Sequence, residues 1–73
     1  MNEHLLYVLT LFDFTENKGY FQTEGDKRLM FEHRLARAHI EVTAKGKFSC
    51  FHRGKTTLIK TRKELIKWLA KNF

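Results

Sequence analysis

The chain has 73 residues, a formal net charge of +6 and a single cysteine. That length holds one domain near the lower limit of what folds without disulfides, metal or a partner, and a lone Cys50 excludes a disulfide-stapled secreted mini-domain. No apolar run approaches the ~18 residues needed to span a bilayer, and Leu5–Phe14, interrupted by Thr10 and Asp13, lacks the preceding positive charge of a signal peptide. The expectation is a soluble, cytoplasmic protein with no membrane partner.

Charge is divided along the chain. Residues 1–26 set five carboxylates (Glu3, Asp13, Glu16, Glu24, Asp26) against Lys18, a net of −4. Residues 27–73 set thirteen Lys and Arg against Glu32, Glu41 and Glu64, a net of +10, and the two halves give the +6 of the whole. Such a division gives the folded domain one basic face, suited to phosphates or to an acidic protein surface. The chain has no proline and no repeat, so residues 1–73 read as a single small domain.

Residues 5–14 are apolar on both alternating faces and rich in strand formers, which predicts a strand buried on both sides. Residues 15–19 then form a turn and residues 20–24 return as its partner, giving an N-terminal β-hairpin. Residues 27–38 fit two patterns. As a helix, Asp26 is the N-cap and Phe31, Leu35 and Ala38 share a face. As a strand, Leu29, Phe31 and Leu35 alternate with Arg28, Glu32 and Arg34, and His33 falls out of place. Propensity favours a short central helix.

The rest of the chain specifies its own register. A three-residue loop at Ala44-Lys45-Gly46, with glycine in the left-handed position, pairs a strand at 39–43 with one at 47–52. Ile40 and Val42 then share a face with Phe48 and Cys50, whereas a two-residue loop would place Lys47 among them. The turn Arg53-Gly54 brings residues 55–60 back and sets Ile59 opposite Phe48. Thr61 followed by Glu64 is a capping box, and Leu65, Trp68, Leu69 and Phe73 form one helical stripe with Ile66 at its edge. The expected fold is α+β: an N-terminal hairpin, a central helix, a three-stranded antiparallel meander and a C-terminal amphipathic helix packed on the sheet.

This register leaves Lys47, Ser49, Phe51, Thr56, Leu58 and Lys60 on the face away from the final helix. Lysines and arginines neutralise phosphates with release of counterions, and an exposed ring stacks on bases. Lys47 lies opposite Lys60, a like-charge pair that costs stability unless an anion sits between them. The candidate nucleic-acid-binding residues are Lys45, Lys47, Phe51, Arg53, Lys55 and Lys60, contacting DNA or RNA. The rival class is a small inhibitor or adaptor docked on an acidic protein surface, and homodimerisation through the apolar sheet face is compatible with either.

Gly54-Lys55-Thr56 matches the end of a phosphate loop, but position 49 is Ser where that motif needs glycine. Cys50 and His52 point to one side of a strand without a second ligand pair, so Cys50 reads as a core residue and no metal or other cofactor is expected. With no nucleophile–base constellation and little room for a cleft, a non-enzyme is expected. If His39 and His52 border the basic face, their protonation strengthens anion binding.

Overall fold

The computed structural model describes residues 3–73. In chain order the elements are helix α1 (Glu3–Leu11), strands β1 (Phe14–Glu16), β2 (Leu29–His33), β3 (Ala38–Val42), β4 (Phe48–His52) and β5 (Lys55–Ile59), and helix α2 (Arg62–Asn72). The strands form one antiparallel sheet in the order β1-β2-β3-β4-β5. Both helices contribute to the single core on one side of it: Leu5 and Leu9 from α1 and Leu65 and Leu69 from α2 join Phe14, Phe31, Ile40, Val42, Phe48, Cys50 and Ile59. The class is α+β, as expected. The first half differs from the expectation in three places.

Residues 5–14 are not a strand. Leu5 and Leu9 are buried and Val8 and Phe12 pack against the same core, so the working stripe is i, i+3, i+4, i+7, the period of a helix. Leu6, Tyr7 and Leu11 are exposed apolar residues, and they filled the gaps that would have shown that period. Two residues past the end of α1, Asp13 takes a left-handed conformation (φ 64°) that a short polar residue tolerates.

The expected hairpin is also absent. Residues 20–24 are not a strand; β1 pairs with β2, with Phe14 opposite His33 and Glu16 opposite Phe31. Between β1 and β2 runs an irregular loop tied by its own side chains. Asn17 Oδ1 accepts from the Gly19 amide at 3.1 Å, and Asp26 accepts from the Arg28 side chain and amide. The Arg28 hydrogen bonds hold the Asp26 carboxyl below its ordinary range, so this pair is intact at neutral pH and is lost only as acid takes the pH through that lowered value. Arg28 also lies over the Phe21 ring, 4.1 Å from its centroid.

Residues 27–38, expected as a helix, hold β2 and its connection to β3. The alternation that the strand reading used is the one that operates: Leu29 and Phe31 face the helices, opposite Val42 and Ile40. His33 is not out of place. Its ring stacks on Phe73 (4.7 Å, 19°) and meets Phe14 edge-on (5.1 Å, 84°). Its Nδ1 accepts from the Leu35 and Ala36 amides at 3.1 and 2.9 Å, so the neutral ring carries its proton on Nε2. A packing role for histidine overrides the helix propensity of its neighbours.

From residue 38 onward the expected register is found, but the expected three-stranded meander is not: β1 and β2 extend β3–β5 into a five-stranded sheet, because β2 pairs with β3 where a helix was expected. Ile40 pairs with Cys50, Val42 with Phe48, and Phe48 with Ile59. Gly46 has φ 79°, its amide donates to Thr43 O, and the Thr43 amide donates to Lys47 O, closing the three-residue loop. Thr61 caps α2 by accepting from the Glu64 amide at 3.2 Å. No helix among the described residues is long and apolar enough to cross a membrane.

The helical stripe of α1 sets an asymmetry that a strand buried on both faces would not show. Leu9→Ala is expected to cost about 2–5 kcal/mol in urea unfolding, whereas Leu6→Ala stays within about 1 kcal/mol. Equal losses at the two positions would contradict the helix.

Candidate functional site

With both helices on one side, alternation along the central strands fixes what reaches the other. Thr15, Glu32, His39, Phe51 and Thr56 form one cross-strand row on this open face; Met30, Glu41, Ser49 and Leu58 form the next. Leu58 is 78% exposed, whereas Phe51 is half-buried and shares a depression with residues 32–39. The 17–28 loop lies over the β2 side of this face, where Met30 is buried.

The open face is electrically divided. Its β2–β3 half carries Glu32 and Glu41, and Asn17 donates to Glu32 Oε1 at 3.2 Å. Its β4–β5 half carries no carboxylate. Continuing the register one step beyond Phe48 and Ile59 sets Lys47 opposite Lys60. These two lysines and Lys45 border an open groove of about 510 Å³, whose other lining residues are Thr43, Ala44, Phe48, Leu58 and Ile59. Among the described residues the one ion pair is Arg28–Asp26, so all three lysines lack a carboxylate partner.

Phe51 sits midway along this half. Its ring is half-buried and stacks on His39 with centroids 4.8 Å apart and planes 11° from parallel. The pair is a flat platform that cross-strand register builds from two residues of neighbouring strands. Sequence reasoning named Phe51 but used His39 only as a border residue; their shared face was the signal that joins them. Beside the platform, Arg37 and His39 line a shallow depression of about 260 Å³ with Glu32 and Ala38.

Arg53 and Lys55 do not join the lysine group. Arg53 lies at the opposite end of β4, in the Arg53-Gly54 turn, where both residues have positive φ (53° and 76°). Asn, Asp or Gly is the usual occupant of the first position of such a turn, and a long side chain there is strained. Lys55 pairs with His52 and lines a depression with Thr57, Trp68, Lys71 and Asn72, on the α2 side of the sheet. His52 is on that side too. It lies 3.3 Å from Asn72 Oδ1 and packs on Phe73 and Trp68, so of the two histidines only His39 meets the condition of reaching the open face.

Cys50 is fully buried in the core, and burial pushes its thiol up to about 12. Among the described residues no three His, Cys, Asp or Glu side chains gather as a metal site. No protein-family model, curated protein or solved structure matches this chain.

Two outcomes follow from these positions. Arg53→Asn relieves the left-handed strain and is expected to raise unfolding stability by about 1 kcal/mol; a loss would contradict the turn geometry. Cys50 is expected to stay unreactive toward an aromatic disulfide reagent at mildly alkaline pH until urea unfolds the chain, because the thiolate is suppressed in the folded state. Rapid labelling without denaturant would contradict its burial.

Proposed function

We propose that this protein is a small non-catalytic nucleic-acid-binding domain that takes a strand with accessible bases along the β4–β5 half of its open sheet face. The observation that carries this reading is the grouping of Lys45, Lys47 and Lys60, without carboxylate partners, around one groove at the end of the β4–β5 half, whose Phe51 forms a stacked platform with His39 of β3. A phosphate between Lys47 and Lys60 converts a repulsive pair into a favourable one. From Lys47 to Arg53 the strip runs about 20 Å at the usual rise of a strand, long enough for several nucleotides. Arg53 closes its far end, and the strain of holding an arginine there is consistent with a task for that side chain. Lys55, on the α2 side, is left out of the contact set. The acidic β2–β3 half confines the strand to one half of the face.

The rival reading, docking on an acidic protein surface, draws on β5, an edge strand that exposes Leu58. The two part on salt and on the ring. Fluorescence anisotropy with labelled oligothymidylate and oligouridylate should give micromolar or tighter binding at ~50 mM salt that weakens steeply by ~200 mM. Lys47→Ala with Lys60→Ala removes two phosphate contacts, so the slope of log K against log salt should fall by about 1.4. The same double change relieves repulsion and leaves the fold intact. Phe51→Ala should cost about 1–3 kcal/mol of binding. Absence of binding at ~50 mM salt, or a salt slope unchanged in the double variant, would overturn the proposal.

A further inference from the structure

The lysine-rimmed groove has a chemistry that phosphate binding does not use. Its inner wall is Phe48 and Ile59, both core residues that reach the end of the sheet, and its outer wall is the exposed Leu58. Ala44 and the stems of Lys45, Lys47 and Lys60 extend the apolar lining. The one neutral polar side chain is Thr43, whose hydroxyl accepts from the Lys47 amide at 3.0 Å and so offers a single remaining donor. No carboxylate lines the groove. At about 510 Å³ it falls within the size range of small-ligand sites. A nucleobase placed there would leave its polar edge unpaired against Leu, Ile and Phe, at a cost that stacking does not offset. An aliphatic chain has no such edge.

We propose that this groove binds a single-chain amphipathic anion, with its apolar tail along Phe48, Leu58 and Ile59 and its head group among the ammonium groups of Lys45, Lys47 and Lys60. The head is a carboxylate or a phosphate monoester, since either satisfies the same cluster of cations. Because Lys47 and Lys60 also serve the proposed nucleic-acid strip, the two ligands compete.

The test is an NMR titration of the full chain with decanoate, decyl phosphate, decanol and inorganic phosphate, each below any micelle-forming concentration. Decanoate or decyl phosphate should shift the side-chain signals of Phe48, Leu58 and Ile59, and the tighter of the two assigns the head group. Decanol, lacking charge, should bind at least about tenfold more weakly, and inorganic phosphate should leave the Leu58 and Ile59 methyl groups unmoved. Leu58→Ser, a change at an exposed position that the fold tolerates, should weaken the amphiphile about tenfold. Binding of decanol as tight as decanoate, or no shift at Leu58 and Ile59 with either anion, would overturn the proposal. Oligonucleotide binding is read separately. If it persists while decanoate fails, only this inference falls; if it is absent while decanoate binds, only the nucleic-acid reading falls.

Discussion

Everything about this molecule that bears on function depends on the register between β3 and β4. The loop Ala44-Lys45-Gly46 sets it, because Gly46 turns left-handed without steric cost and the Thr43–Lys47 pair closes the hairpin. A slip of one residue would put β4 out of phase with β3, moving Phe48 and Cys50 into solvent and Lys47 and Phe51 under the helices beside Ile40 and Val42. Burial of Ile40, Val42, Phe48 and Cys50 on one face therefore dictates, by alternation alone, that His39, Glu41, Ser49 and Phe51 reach the other. The site is a by-product of the core's preference.

The five-stranded sheet extends this constraint. Both helices lie on the side of the core, so the other face is left to the 17–28 loop, which lies over its β2 side. On that face the sequence's division of charge is not a division between two ends of the molecule. Glu32 and Glu41 stand on the two strands next to the basic half, within the segment whose overall charge is strongly positive. What matters for an anion is the local absence of carboxylates around Lys45, Lys47 and Lys60, a property of strand order that net charge along the chain does not express.

The C-terminal half was legible from sequence because each signal there has one reading. Gly46 marks the loop and the place of Lys47 decides its length, Thr61 and Glu64 admit one helix start, and the pattern of β3 to β5 then admits one register. The N-terminal half was not, and the reasons are specific. Leu6, Tyr7 and Leu11 are exposed yet apolar, so the helical stripe of Leu5, Val8, Leu9 and Phe12 was buried in a continuous apolar run. In residues 27–38, strong helix formers and an apparently misplaced His33 pointed away from a strand; only the ring of Phe73, some forty residues later, explains why a histidine occupies an inward position. Of the candidate site, the lysines and Phe51 were readable from register. The shared face of His39 and Phe51 was in the register too, but their stacking, the place of Lys55 beside α2 and the apolar groove required the three-dimensional structure.

The central claim is that the open β4–β5 half of the sheet is the surface that meets a polyanion. Mapping amide shift changes in the isotopically labelled chain as an oligonucleotide is added tests it most directly. The account predicts changes concentrated at Lys47, Ser49, Phe51, Thr56 and Lys60, with residues 62–72 of α2 unmoved. Changes confined to α2, with the β4 and β5 amides unaltered, would contradict it.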